Sequence, residues 1–488
     1  MTSTLPPLGV PLVTTAQLRE VEADHAQLDL MRRAGKAAAE FVRARSTADA
    51  RVVLFAGPGN NGGDALACAS ELASMGYAPL IVLLGDPEKF GEDAARDWRR
   101  VEERFAVLRE IPLEITADWI IDGLFGIGLK RPLDGVYSEA VTAIAHARAN
   151  GAKVLALDVP SGIDADTGAT IGESVITADF TLTFIANKPG LVTGPALNHV
   201  GELHCADLDL APLAPSTSTV ELLGASFLNA VRKTPLANAH KGSHGTCVIL
   251  GGSTGMLGAA LLASRAAMRC GAGKVKLGWL ADPAPQVDPQ MPEVMMAQAT
   301  DLVLASCDAL VIGCGLGMSG EAVRLLGAAL KREVPIIVDA DALNLIAQSA
   351  ALATLMQRRQ SPTVITPHPA EAARLLGCST AAVQADRLRA AADLARGYSC
   401  IAVIKGAGTV VCCAAGTTIN GTGNPLLATA GTGDVLAGMI GALLAQGYAA
   451  ATAARLAVCL HGAAADAMRG RGVKRAVASD VINALRWL

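Results

Sequence analysis

What most constrains this chain is an alternation that runs along its 488 residues. Short apolar runs end in glycine-rich or acidic turns, and helical stretches follow. Val52–Ala56, Leu80–Leu84, Trp119–Ile121, Val154–Leu157 and Phe180–Phe184 read as strands, with helices predicted at about 65–76, 92–109 and 136–150 between them. Runs with few polar positions suit strands buried on both faces, so the pattern predicts a mostly parallel sheet between helical layers. Residues 14–44 read as helical, opened by a Thr14-x-x-Gln17 capping box. The alternation resumes at Cys247–Leu250, Val275–Leu277, Leu310–Ile312, Ile336–Val338, Val364–Thr366, Ala402–Ile404 and Val410–Cys412, and the chain ends in helices from about 434 onward. Between the two series, residues 211–220 read APLAPSTSTV. Proline, serine and threonine without periodicity mark a linker. The expected class is therefore α/β with two domains, 1–215 and 216–488.

Composition narrows the function. Apolar residues are 51% and charged residues 18%, which excludes a disordered chain and supplies a large core. The net charge of −4 lacks the basic footprint of a nucleic-acid binder, so no nucleic-acid partner is expected. Aromatics at 3% argue against stacking of bases or sugars. The 11 cysteines form no CxxC pair, and Cys247, Cys307 and Cys412 sit in apolar runs. Reduced thiols in a cytoplasmic protein are expected. Met1 to Pro11 has neither the charge nor the apolar stretch of a signal peptide. Val435 to Ala454 is uncharged and long enough to span a bilayer, but its three glycines, Gln446 and Thr452 predict a buried helix instead. No membrane association is expected.

Two groups of turns carry chemistry. In the first half, Val52–Ala56 runs into Gly57-Pro-Gly-Asn-Asn-Gly-Gly-Asp-Ala65; a second strand ends in Asp122, followed by Gly126-Ile127-Gly128-Leu129; a third ends in Asp158-Val-Pro-Ser161-Gly162. In a parallel sheet all three turns lie at the carboxyl ends of strands, where open α/β sheets bind ligands. One glycine-rich turn alone is only a turn. Three polar strand ends in one domain make a site. Asn61, Asp122 and Ser161 offer hard oxygen donors for a monovalent or hard divalent cation. Asp158 can serve as acid or base.

In the second half, Gly423-Asn-Pro425 leads to Ala430-Gly-Thr-Gly-Asp434 and a long apolar helix. The Gly431–Gly433 amides at that helix start form an anion hole, and Asp434 can take a proton from an attacking hydroxyl. Thr and Asp also cap helices as a matter of course. It is the glycine-rich stretch 251–258 and the loop Lys405-Gly-Ala-Gly-Thr409 that tip the reading to phosphate handling. Thr366-Pro-His368-Pro-Ala-Glu371 closes another strand. His240-x-x-x-His244 has metal-like spacing, but Gly242 and Gly245 make it a loop. His461 and Asp466 read as helix-surface or packing residues, and Trp119 and Trp279 as core.

These motifs carry a resemblance. About 10–210 resembles the epimerase domain of the NAD(P)H-hydrate repair family, through Asn60–Ala65 (NNGGDA), Asp122–Leu129 and Asp158–Gly162. Ala65 stands where that family usually has glycine. About 235–445 resembles the ribokinase-like superfamily, within it the ADP- or ATP-dependent NAD(P)H-hydrate dehydratases. The matching stretches are Lys241-Gly242 with Gly245, Gly313-Cys-Gly-Leu-Gly317, Asp339–Asn344, His368–Glu371, Lys405–Thr409 and Ala430–Gly438. Ala370 replaces the commoner glycine of HPGE. The resemblance implies a Rossmann-like three-layer sandwich followed by a ribokinase-like α/β domain.

It also implies a bifunctional metabolite-repair enzyme. The first domain interconverts the R and S hydrates of NADH or NADPH; the second dehydrates the S form with ADP, releasing AMP and phosphate. By resemblance, K+ falls on Asn61, Asp122 and Ser161. Hydrate contacts in the first domain fall on Asn60, Asn61, Gly62, Gly63, Asp64, on Gly126, Ile127, Gly128, Leu129, Lys130, Arg131, Pro132, and on Asp158. In the second they fall on Ala259, Gly317, His368 and Asp434. The nucleotide falls on Lys405, Gly406, Ala407, Gly408, Thr409 and Gly433. Asp158 and Asp434 are the expected catalytic residues, Mg2+ the metal of the dehydratase step, and a homo-oligomer the expected assembly. The alternative is a ribokinase-like vitamin kinase fused to a binding module.

Overall fold

The computed structural model describes residues 9–211, 220–233 and 236–488. The boundary predicted at 215 and most of the linker 211–220 lie outside the described residues. Two compact units divide at Val220: Pro11–Val220, and Glu221–Leu488 with the segment ending at Val10.

The first unit is built on a seven-stranded sheet in the order Ala106–Leu108, Leu80–Leu83, Val52–Ala56, Trp119–Gly123, Lys153–Leu157, Phe180–Phe184, Glu202–Ala206. Every pairing in it is parallel. Successive strand residues feed opposite cores. Leu54, Ile121 and Leu155 pack on one face, while Val53, Phe55, Ile120 and Val154 pack on the other. That alternation makes it a three-layer sandwich. Full burial of each such side chain contributes roughly 1.5–3 kcal/mol. Trp119 is core as expected, and Leu66 and Leu72 of the helix Asn60–Ser74 face the sheet.

Three sequence expectations needed correction here. Residues 14–44 form two helices, Thr15–Asp24 and Leu30–Arg43. The predicted capping box opens the first, and the Asp29 carboxylate accepts from Arg32 N–H to open the second. The helix expected over 92–109 stops at Val101, because Glu102, Glu103 and Arg104 break the apolar stripe. Ala106–Leu108 then pairs with Leu80–Val82 as an edge strand. The helix expected from 65 begins at Asn60, so the Asn-Asn-Gly-Gly-Asp stretch is its first turns rather than a loop.

The second unit holds an eleven-stranded sheet, ordered Val10–Leu12, Val220–Leu223, Gly416–Asn420, Val410–Cys413, Ile401–Ile404, Thr363–Ile365, Ile336–Val338, Ala309–Ile312, Thr246–Gly251, Lys274–Trp279, Met295–Gln298. From Ile401–Ile404 to Met295–Gln298 it is parallel; Val410–Cys413 and Gly416–Asn420 add an antiparallel hairpin. The uncharged run at 435–454 is split by the left-handed Gly447 between two helices, Thr432–Ala445 and Ala450–Gly470. The first lies almost wholly buried. A Cβ on Gly438 would stand 2.0 Å from Ala263 O, and one on Gly441 2.5 Å from Val311, so these glycines let the helix backbone close on its neighbours. No helix among the described residues is long and apolar enough to cross a membrane.

Candidate active sites

In the first unit the strand ends converge because glycines let them. A Cβ on Gly57 would sit 1.8 Å from Leu124 O, and one on Gly62 2.0 Å from Gly57 O. The turn after the first strand is thereby pressed against the turn after Asp122 and against the start of its own helix. A cavity of about 750 Å3 opens beside them. Asn60, Asn61, Asp64, Gly126 to Leu129 and Asp158 line it, with Glu22 from the first helix. Gly62 and Gly63 are buried behind this wall. Lys130, Arg131 and Pro132 lie beyond it: both cations are exposed, Lys130 reaches 3.9 Å from Asp164, and Pro132 packs on Gly172. The Ala65 methyl faces Gly123 in the core, away from any ligand.

Asp158 occupies a left-handed backbone conformation (φ 62°) at the end of its strand. A residue held there costs energy that the surroundings must offset. They do so through Lys188, which the sequence reading missed. Its ammonium is fully buried and donates to Asp158 Oδ1 at 2.5 Å, to Thr183 Oγ1 at 2.7 Å and to the Phe184 carbonyl at 2.9 Å. Thr183 Oγ and Phe184 N–H also donate to that same Oδ1. The other oxygen, Oδ2, lies 3.5 Å from where a Gly126 Cβ would stand, on the cavity side. Burial and the Asp158 charge push the Asp64 carboxyl well above the ordinary range and raise Glu22 too. An ion-paired carboxylate thus shares the cavity with a carboxyl group whose charged form is disfavoured by burial. The one signal for Lys188 in the sequence was a lysine, next to Asn187, in a short stretch after a strand.

Beside this pair lies an oxygen-rich nest. Asp122 is fully buried and accepts from Ser161 N (2.9 Å), Ser161 Oγ (2.7 Å) and Leu124 N (3.1 Å). Burial nevertheless lifts it to about 6. Ser161 Oγ also lies 3.0 Å from Phe125 O. Both side-chain polar atoms of Asn61 are buried without a hydrogen-bond partner. An orphaned amide oxygen beside a desolvated carboxylate fits a monovalent cation bound by oxygens.

In the second unit the strand Ile336–Val338 ends in Asp339, buried to 1% exposure. Gly313 (φ 126°) permits the approach, since a Cβ there would stand 1.8 Å from Asp339 O. Lys405 Nζ reaches Asp339 Oδ1 at 2.7 Å and Glu371 Oε2 at 3.8 Å. It also lies 3.3 Å from where a Gly433 Cβ would be. Gly431 (φ 88°) turns the chain into the helix Thr432–Ala445, whose first turn carries Asp434. Burial, then the nearby Asp339 charge, pushes Asp434 up to about 6. The Sγ of Cys314 and carboxylate oxygens of Asp339 and Asp434 all lie within 4.8 Å of one another. A base with this value is poised for proton transfer near neutrality. Below about pH 6 Asp434 gains a proton and cannot accept another, so any reaction that draws on it as a base should slow about tenfold per pH unit there. A pH–rate profile checks this; a flat profile from pH 7 to about 5 would remove Asp434 as the base.

The remaining predicted residues group around this cluster unevenly. Gly317 donates its N–H to Asp341 Oδ2 at 2.8 Å, and Ala259 lies on the helix Leu257–Arg269. His368 holds extended backbone (φ −77°, ψ 165°) just ahead of the helix Pro369–Leu376 and caps it. It accepts from Ala370 N–H, and its own N–H donates to Glu371. His461 is not on a helix surface. It is 8% exposed, and burial pulls its pKa down to about 4. Asp466 is exposed and accepts from Gly423 N and Asn424 Nδ2, bracing the turn that leads to the anion hole. His240 and His244 sit in a loop, as read.

Comparison with known proteins gives these clusters a family. Residues 247–485 match the model of the NAD(P)H-hydrate dehydratase family, and residues 27–190 match that of the YjeF-related protein N-terminus. A bifunctional NAD(P)H-hydrate repair enzyme of Escherichia coli is 37% identical over 94% of this chain and 88% of its own length. Its counterpart in Coxiella burnetii is 37% identical over 98% and 99%. An ADP/ATP-dependent NAD(P)H-hydrate dehydratase from Bacillus subtilis, crystallised with ATP and Mg2+, is 31% identical. That similarity covers 54% of this chain and 94% of that one, at a TM-score of 0.48. With both halves matched and nearly the whole length aligned, the chain belongs to the family of bifunctional NAD(P)H-hydrate repair enzymes.

Proposed function

We propose that this chain repairs hydrated NADH and NADPH in two steps, each in its own unit. It epimerises the hydrate in the first, then dehydrates the S form in the second with ADP as phosphoryl donor. The observation that carries the reading is that each unit holds its own proton-transfer cluster, Asp158 with Asp64 in one and Asp434 with Lys405 in the other.

The hydrate bears a hydroxyl on the carbon next to the ring nitrogen. In the first unit, Asp64 gives its proton to that hydroxyl as the nitrogen lone pair expels it as water. Asp158 Oδ2 takes a proton from the water that returns to the opposite face. Lys188 keeps Asp158 in place through both halves of the exchange, and proton exchange with solvent then resets the two carboxyl groups. Asn61, Asp122 and Ser161 would hold K+, which would supply a counter-charge for Asp122 beside the cavity.

In the second unit, Asp434 takes the hydroxyl proton as the oxygen attacks the β-phosphorus of ADP, and AMP leaves. The Gly431–Gly433 amides and Lys405 stabilise the charge on the transferring group. The new phosphate ester then breaks at carbon, phosphate departs, and loss of a ring proton restores the double bond. The sum is hydrate plus ADP giving NAD(P)H, AMP and phosphate. Mg2+ fits this site because the close Asp339 and Asp434 carboxylates invite a divalent cation; Asp339 would hold it beside the nucleotide phosphates, where it neutralises their charge. A cytoplasmic location and a homo-oligomeric assembly complete the reading.

The test mixes the protein with an equal mixture of the R and S hydrates, ADP or ATP, and either KCl or NaCl. Near-ultraviolet dihydronicotinamide absorbance should return fully with ADP and KCl. With NaCl it should plateau near half, because the R form is no longer converted. A stable phosphorylated product without recovered absorbance would establish the vitamin-kinase alternative instead.

A further inference from the structure

Arg387 opens the helix Arg387–Gly397, and its residue is 1% exposed. A guanidinium loses much hydration on such burial, so the fold must return hydrogen bonds to it. It finds them under the loop that follows Ile401–Ile404. Nη1 donates to Ala407 O at 2.5 Å, and Nη2 donates to Ile404 O and Lys405 O, each at 3.2 Å. A Cβ on Gly406 would lie 2.9 Å from Nη2, so only glycine lets the loop settle this closely on the cation. Gly406 (φ 139°) and Gly408 (φ 61°) adopt conformations other residues resist.

These contacts set the direction of the peptide planes. A trans peptide points its N–H opposite to its C=O. With the Lys405 and Ala407 carbonyls drawn down onto Arg387, the N–H groups of Gly406 and Gly408 are directed to the other side of the loop. The Lys405 side chain leaves from the same loop and reaches the Gly433 end of the anion hole. We propose that Arg387 is a positioning residue for nucleotide binding: it draws the carbonyls of residues 404–407 inward, so that the loop turns its amides toward the phosphates of ADP or ATP. The proposal rests on the assignment of the nucleotide to residues 405–409. Within that assignment it makes the buried Arg387 guanidinium a determinant of nucleotide affinity, with no part in hydrate binding.

The experiment uses the full chain as wild type, R387K and R387M. ADP binding is titrated by calorimetry, and KM is measured separately for ADP and for the S hydrate. Three loop carbonyls, the Ile404 one fully buried, lose their donor in R387M, so the ADP Kd and KM should rise about 10- to 100-fold while the hydrate KM stays within about twofold. R387K keeps the charge without the fork and should fall between the two. Unchanged ADP affinity in an R387M protein that melts like wild type would overturn the proposal. So would parallel increases in both KM values with no rescue by R387K, which would mark a merely structural residue. Should R387M fail to fold, R387K decides: an ADP-selective KM increase supports the role, and wild-type ADP affinity overturns it. Wild-type protein that dehydrates the hydrate yet binds neither ADP nor ATP would instead sink the nucleotide assignment itself, and this proposal with it.

Discussion

Asp434→Asn should abolish dehydration and leave epimerisation at its wild-type rate. The amide keeps the shape of the side chain and its place in the first turn, but it cannot take a proton from the hydroxyl. Loss of a positioned general base costs about 10²- to 10⁴-fold in turnover. Folding should be spared, because burial and Asp339 already oppose the charge at this position. With mixed R and S hydrates, ADP and KCl, the variant should show no recovery of dihydronicotinamide absorbance, while chromatography should show the R and S forms still exchanging. Full-rate recovery would remove Asp434 from the mechanism. Loss of both activities would mean that the substitution had damaged more than the base.

Lys188→Met should be the most damaging change in the first unit, for stability and activity together. It leaves the Asp158 carboxylate buried beside Asp64 and Glu22 with its counter-ion gone. Removing one partner of a buried pair typically destabilises by about 3–5 kcal/mol. At roughly 2–4 °C per kcal/mol for a domain of this size, the melting transition of the unit should drop by about 10 °C. Epimerisation should fall about 100-fold or more, since Asp158 loses both its charge compensation and its fixed orientation. The double variant Lys188→Met, Asp158→Asn separates the two effects. Asparagine tolerates the left-handed backbone and needs no counter-ion. Melting should therefore recover toward wild type while epimerisation stays absent. A single Lys188→Met variant that melts like wild type would show that the pair does not carry the site.

The strands were legible because burial on both faces writes a continuous apolar run. Val52–Ala56, Phe180–Phe184 and Ile336–Val338 were read to the residue. Ala106–Leu108, Glu202–Ala206, Met295–Gln298 and Gly416–Asn420 were not read: short or polar-mixed runs like these owe their state to a neighbouring strand more than to their own pattern. The turn residues around Asp122, Asp158 and Asp434 stood out because glycines and carboxylates at strand ends have few structural uses. The cations beneath them did not. Lys188 and Arg387 act from 30 and 18 residues away in sequence, on Asp158 and on Lys405 O, and no local spacing links such partners. Helix starts were misplaced where glycine hid them, as at Asn60, since Gly62 and Gly63 are poor helix formers that crowding against Gly57 and against Met31 makes mandatory.

The close seating of Thr432–Ala445 has a reach well past its first turn. Gly438 and Gly441 stand one and two turns downstream of Asp434, against Ala263 and Val311, with no room for even a methyl group. The aim of the carboxylate is therefore underwritten by missing side chains in the protein's interior. Inherited variants at those distant glycines would masquerade as chemical lesions while touching no ligand at all.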